Sequence, residues 1–209
     1  DGSAVRLTIA RYYTPSGRCI QKSYEKGDEE YDMDFSNRLK TGELFHKDSI
    51  PHIDSLKALT NNKRTVYGGG GIIPDVFVPL DTTMNSTYYR DLQRKSLLSQ
   101  YCITYVDNNR KDLFAKYPDI AAYRAGFNLD DAFLNDFIAY AEKNDVKRDE
   151  KGIETSKPLM RVVLKALIAQ DMWNVDAYFQ VINEINAPVK VALQSINDKT
   201  FEKNKIASN

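Results

Sequence analysis

The chain has 209 residues, enough for one large domain or two small ones with a true interior. Hydrophobic residues make up 42% and charged residues 28%, which is typical of a folded globular protein and argues against disorder. The 29 basic residues balance 29 acidic ones, so no net charge favours nucleic acid as a partner. No apolar run approaches the roughly 18 residues that a membrane-spanning helix needs. We therefore expect a folded chain with no membrane span and no nucleic-acid partner.

The opening segment, "DGSAVRLTIARYY", has the alternating pattern of a half-buried strand. Val5, Leu7 and Ile9 alternate with more polar residues. Asp1-Gly2 ahead of them is a strong hairpin signal, and a hairpin needs two strands. We therefore expect the partner strand to lie in polypeptide ahead of this sequence. An unpaired edge over residues 3–13 would favour association with a second copy, as a homodimer.

The next segment, "TPSGR" at residues 14–18, predicts a chain reversal. Pro15 presets φ, and Gly17 can take a positive φ without steric cost. The "CIQ" that follows can resume a short strand.

Residues 23–65 are dominated by charged and polar side chains, which predicts an insertion on the surface. The spacing of Phe35 and Leu39 predicts a short helix that ends near Gly42. Ile53 and Leu56 are spaced for another.

The segment "VYGGGGIIPDVFVPLD" then returns to strand-forming residues. Its β-formers are Ile72, Ile73, Val76, Phe77 and Val78, and Pro74 and Pro79 mark the ends of strand segments. The glycine run at residues 68–71 does not fit a phosphate loop, because no Lys-Ser/Thr pair follows it and the next element has strand character. We expect these glycines to take positive φ or to allow close backbone packing.

The residues after Asp81 favour helices. Apolar side chains recur there at intervals of three and four, as in Leu92, Leu98, Tyr101, Cys102 and Tyr105, in Phe133, Leu134, Phe137, Ile138 and Ala141, and in Leu159, Val163, Leu167 and Met172. Candidate N-caps are Asn128, Ser156, Asn174 and Asn186, with Pro158 and Pro188 in the first turn after two of them. The sequence thus predicts an α+β chain: strands over residues 1–81 with a polar helical insertion at 22–70, then an all-α helical domain over residues 82–209.

Candidate chemical groups are few. His46 and His52 are the two histidines, and their six-residue spacing across Pro51 does not put both rings on one helical face. Ser16 lacks the G-x-S-x-G elbow and is interpreted as a turn serine. Cys19 and Cys102 leave a disulfide open, with two free thiols as the preferred interpretation. From the residues alone we expect no metal, no cofactor and no catalytic residue in this chain.

Two ordered motifs carry a resemblance to a known family. "DGSAVRLTIARYYTPSGRCIQ" at residues 1–21 and "GIIPDVFV" at 71–78 resemble segments of the carboxy-terminal processing peptidases, also called tail-specific proteases. In typical relatives the two motifs are almost contiguous, whereas residues 22–70 separate them here. The motif residues to which the resemblance gives a structural role are Thr14, Pro15, Ser16, Gly17, Arg18, Gly71, Pro74 and Asp75.

The resemblance implies chemistry that this sequence does not contain. The family uses a serine nucleophile in a G-S-x-S-A-type segment and a lysine base in a G-K-G segment, both ahead of the D-G-S strand. It implies a serine endopeptidase of the periplasm or cell envelope that binds protein substrates through upstream domains, and it makes the small β part a remnant of the peptidase core sheet. The chain alone would be inactive. A non-catalytic module for protein interaction or oligomerisation is the alternative.

Overall fold

The computed structural model describes residues 2–7, 9–24, 27–69 and 71–206. The chain divides into two compact units, one formed by residues 1–80 together with 191–209 and the other by residues 81–190. Most of the regular secondary structure is helical, and the two strands of the described residues form a small antiparallel sheet. The coarse α+β expectation with a large helical part is therefore met.

The first unit holds short elements. Helices α1 (Asp28–Asp32) and α2 (Asp34–Thr41) are followed by 3₁₀ turns at Lys47–Ser49 and Asp54–Leu56. Strands β1 (Lys57–Leu59) and β2 (Thr65–Tyr67) pair antiparallel, with Ala58 opposite Val66. The helix predicted around Phe35 and Leu39 is confirmed as α2, with Gly42 as its left-handed C-cap, whereas Ile53 and Leu56 flank or end only a single 3₁₀ turn.

The strands predicted on either side of the insertion are absent from the described residues. Val5, Leu7 and Ile9 belong to no strand and are 84%, 76% and 94% exposed. The "CIQ" segment contributes one isolated bridge, between Tyr13 and Cys19. Residues 72–80 are irregular as well. β-forming side chains make a strand only when a neighbouring strand takes up their backbone hydrogen bonds, and the described residues provide none here.

The second unit is a helical bundle. It comprises α3 (Thr87–Arg94), α4 (Leu97–Lys116), α5 (Ile120–Gly126), α6 (Asp131–Lys143), α7 (Glu150–Met172) and α8 (Val175–Ile182). Helix α9 (Ala187–Asn197) crosses the boundary between the units, and α10 (Thr200–Lys203) follows it. The predicted helical periodicities are confirmed, and α7 packs against α3, α4 and α8.

Two of the predicted helix starts are wrong. Asp130, not Asn128, caps α6, its carboxylate accepting a hydrogen bond from the Phe133 amide at 2.8 Å. Ser156 and Pro158 lie inside α7, which begins at Glu150. Pro158 is exposed, and so is Glu154, whose carbonyl loses its helical partner to the proline, while the apolar face of α7 continues past them. Asn174 is confirmed as the cap of α8, and Asn186 immediately precedes α9.

Candidate functional site

The predicted reversal at residues 14–18 is a tight turn. The Gly17 amide donates to the Thr14 carbonyl at 2.8 Å, and the Thr14 amide donates to the Arg18 carbonyl at 2.9 Å. Gly17 has φ +81°, as the sequence predicted, and Pro15 supplies the fixed φ ahead of it. The turn therefore brings the chain back on itself between Tyr13 and Cys19.

The polar side chains of this turn bind one another. The hydroxyls of Thr14 and Ser16 lie 2.9 Å apart, and Arg18 Nε donates to Ser16 Oγ at 3.1 Å. A guanidinium stays protonated in proteins and cannot take a proton from a serine. Because a serine nucleophile needs an adjacent base, this arrangement supports Ser16 as a turn residue and does not provide a catalytic pair.

The first motif lies beside the last residues of the segment 22–70 and the first residue of the second motif. Arg18 Nη1 donates to the Tyr67 carbonyl at 3.5 Å, and a Cβ at Gly68 would lie 3.6 Å from Arg18 Cγ. At the start of the second motif, a Cβ at Gly71 would lie 3.7 Å from the Ile20 carbonyl oxygen. Gly71 has φ +93°, so its backbone requires glycine as well. The residues that flank the insertion, Ile20 and Gly71, therefore lie side by side.

The "PD" of the second motif is tied to the β1–β2 hairpin. The Asp75 carboxylate pairs with the Arg64 guanidinium, and both side chains are largely shielded, at 32% and 26% exposure. Pro74 is exposed. The Asp75 carboxylate thus contacts the residue that immediately precedes β2.

Two shallow clefts lie beside these motifs, with volumes of about 480 and 360 Å³. The larger is lined by Ile9, Ala10, Arg11, Gln21, Tyr24 and Asp28. The smaller is lined by Ala10, Tyr12, Ile20, Gln21, Lys22, Tyr31 and Gly71. Lys22 in the smaller cleft pairs with Asp34, and neither lining contains a serine, histidine or cysteine that could act as a nucleophile. The clefts can contact a ligand, but their residues assemble no catalytic pair.

The remaining candidate groups are separate from these motifs. His46 is exposed, and the ring of His52 packs against Tyr67 with centroids 4.6 Å apart. Within the described ranges, no group of three or more His, Cys, Asp or Glu could hold a metal ion. Cys19 and Cys102 are both free thiols, and burial raises the pKa of the Cys102 thiol, so it is unreactive.

The sequence interpretation missed the β1–β2 hairpin, which links the two motifs. Its signal was only partly present: Asn61-Asn62 are typical turn residues ahead of the β-formers Thr65–Tyr67, and Lys63 takes φ +56° just after the two asparagines, whereas Lys57–Leu59 contains no β-branched or aromatic residue. The hairpin escaped notice because it lies inside a segment whose composition is polar.

The described part of the chain contains no helix with the length and apolarity required to cross a bilayer. A comparison with known protein families matches residues 88–174, within the helical unit, to a family of unknown function (DUF8443). No curated protein and no solved structure matches the chain.

Proposed function

We propose that this chain is the C-terminal portion of a carboxy-terminal processing peptidase, a serine endopeptidase that acts on proteins from their C-terminal tails. The nucleophilic serine and the lysine base would lie in polypeptide ahead of the D-G-S segment, as in the family that the motifs resemble. This chain would contribute part of the peptidase core sheet and the helical domain after it, and its own serines and lysines would take no part in the reaction.

One observation supports the proposal more than any other. In typical family members the T-P-S-G-R and G-I-x-P-D motifs are almost contiguous, and here Gly71, the first residue of the second motif, lies beside Ile20 of the first motif despite the intervening insertion. A loop whose two ends lie close together can be inserted into a fold without separating the segments that it interrupts. The contact is therefore what the family arrangement requires of a long insertion.

The groups that the proposed reaction needs would lie outside this chain. A lysine can deprotonate a serine only where burial or neighbouring charge lowers the pKa of the amine towards neutrality. Substrate proteins would bind through upstream domains, and the family implies a location in the periplasm or cell envelope.

The gene that encodes this chain provides the sharpest test. Codons upstream of Asp1 should encode a G-S-x-S-A-type segment and then a G-K-G segment. The protein expressed from the complete gene should cleave a substrate with an apolar C-terminal tail, and replacing the serine of the first segment by alanine should abolish cleavage. An initiator Met or a signal peptide directly before Asp1 would contradict the proposal, and so would cleavage by the present chain alone.

A second candidate is a non-catalytic module for protein interaction or oligomerisation. It is favoured by the exposed apolar side chains of Val5, Leu7 and Ile9, which alternate with more polar residues in the sequence. The same gene separates the candidates, because a module of this kind needs neither upstream motif.

A further inference from the structure

The two parts of helix α7 differ in how much apolar surface they bury. The first part, residues 150–157, has the polar sequence EKGIETSK, and of its three buried residues only Ile153 has a large apolar side chain. The part that follows Pro158 buries four large apolar side chains, those of Met160, Leu164, Ile168 and Met172. Because the free energy of burial grows with the apolar area removed from water, packing holds the first part less firmly than the second.

Pro158 lies between these two parts. Proline has no amide hydrogen, so the Glu154 carbonyl lacks its helical donor and the hydrogen-bond ladder of α7 is interrupted here. On either side of the proline, Lys157 Nζ and Arg161 Nη2 lie 2.9 and 2.5 Å from Asp131 Oδ1 of α6. The Asp131 side chain is 69% exposed, and ion pairs this close to water contribute little. The carboxylate therefore forms only a weak clasp across the interruption.

Polar groups join the first part of α7 to α3 and the residues just before it. Ser156 Oγ donates to the Met84 carbonyl at 2.7 Å and accepts from the Ser86 amide at 3.2 Å. The Tyr88 hydroxyl is buried and has no hydrogen-bond partner among the described residues, and a Cβ at Gly152 would lie 2.8 Å from Tyr88 Cβ. A buried hydroxyl without a partner has lost its hydration, which favours an opening that returns it to water.

We propose that residues 150–157 are a flap, which opens from α3 about a hinge at Pro158 while the rest of α7 stays packed. Opening separates Ser156 from its partners and returns the Tyr88 hydroxyl to water. A partial opening of this kind costs less free energy than global unfolding, so its amides exchange faster with solvent hydrogen. The flap does not depend on the proposed peptidase function, because all of these contacts lie within the helical unit.

Hydrogen exchange of the full chain, followed by mass spectrometry of its peptides, tests the flap. After correction for intrinsic rates, amides of residues 154–157 should exchange at least roughly tenfold faster than amides of residues 164–169. Equal exchange in the two segments would overturn the proposal, because α7 would then open only as a whole.

Pro158→Ala tests the hinge. The alanine amide can donate to the Glu154 carbonyl, so exchange at residues 154–157 should slow by roughly tenfold. Pro188→Ala is the matched control, because Pro188 lies in the first turn of α9, where an amide has no helical acceptor, and exchange at residues 154–157 should not change. No slowing in the Pro158→Ala chain, or equal slowing in both chains, would overturn the hinge.

Asp131→Asn tests the clasp without any change in α7. Exchange at residues 154–157 should become about two- to fivefold faster, while exchange at residues 164–169 stays the same. The control is Asp107→Asn, which removes a similarly exposed carboxylate, at 63%, that pairs with Arg110 within α4. Faster exchange at residues 154–157 in both variants, or in neither, would contradict a clasp at Asp131.

Discussion

The two units of this molecule differ in how far they bury their apolar side chains. Among the described residues, every buried apolar side chain but one lies between Tyr88 and Val181, within the helical unit. The exception is Val66 on β2. The first unit is not short of apolar residues, but it leaves Val5, Ile9 and Phe35 mostly in water.

The difference lies in how each kind of secondary structure satisfies its backbone. A helix forms its hydrogen bonds within one segment, so the amphipathic helices of the second unit need only pack against each other. A strand depends on a neighbour, so β-forming residues without one cannot build a core. We infer that the helical unit carries most of the stability of this chain, and the following predictions test that inference.

The largest effect is expected from Phe137→Ala. Phe137 is fully buried in α6 and meets the ring of Tyr101 edge-on, with centroids 5.2 Å apart. Its truncation leaves a cavity and should cost about 3–5 kcal/mol of unfolding free energy. Urea unfolding followed by the fluorescence of Trp173, the single tryptophan, measures this. Phe179→Ala, at a residue 52% exposed in α8, is the control and should change stability far less. Similar losses for both would contradict a core in this unit.

Gly152→Ala should destabilise by about 2 kcal/mol through overpacking, although alanine is the better helix former. A Cβ at position 152 would lie 2.8 Å from Tyr88 Cβ and 2.5 Å from Asp149 Oδ2. The aspartate can rotate away, but Tyr88 Cβ is fixed by the α3 backbone. The same unfolding assay applies, with the exposed neighbour Lys151→Ala as the control. A gain in stability, which helix propensity alone predicts, would show that α3 and α7 are not closely packed here.

Ser156→Ala should cost about 1–2 kcal/mol, because it leaves buried polar groups without partners. The Ser156 hydroxyl donates to the Met84 carbonyl at 2.7 Å and accepts from the Ser86 amide at 3.2 Å. Ser86 in turn caps α3 through the Tyr89 amide. The control is Ser99→Ala at an exposed position in α4, where no loss is expected. If both changes had the same effect, the contact between α7 and the start of α3 would contribute nothing.

The sequence predicted the helical unit far better than the first unit. Periodicity identified the buried faces around Phe137 and Leu98, and the cap at Asn174, because those signals are local. The start of α7 was placed wrongly at Ser156, since a serine two residues before a proline is typical of a helix start. That serine is instead buried and binds a segment distant in sequence, which no local pattern reveals.

The candidate site was predictable only in part. The turn at Gly17 follows from Pro and Gly chemistry, and it is present. The contact between Gly71 and Ile20 does not follow from either motif, because it depends on how residues 22–70 fold back. The strands expected at Val5 and Ile72 failed for the reason already given, since pairing is not a property of one segment.

The smallest effects concern two aspartates of the helical unit, Asp171 and Asp131, whose surroundings shift the carboxyl pKa in opposite directions. Burial is the largest cause that raises the pKa of the Asp171 carboxyl, and the neighbouring Asp107 raises it further. Arg110 has the opposite effect, but the pKa is raised overall. The pKa of the Asp131 carboxyl is instead lowered below its ordinary 3.8. The largest cause is a hydrogen bond from Lys157, whose Nζ lies 2.9 Å from Oδ1, and Arg161 lowers the pKa further.

The signs follow from proton linkage. A carboxyl whose pKa is raised in the folded state opposes folding increasingly as the pH rises above 3.8, so Asp171→Asn should raise the melting temperature at pH 7. A carboxyl whose pKa is lowered contributes stability above 3.8 that is lost as the pH falls through its folded value, so Asp131→Asn should lower the melting temperature at pH 7. Both shifts should be small and should vanish at acid pH, where folded and unfolded chains carry protonated carboxyls. Melting curves of both variants from pH 7 down to the acid limit measure this, and shifts of the same sign at pH 7 would contradict the assigned surroundings of one of the two aspartates.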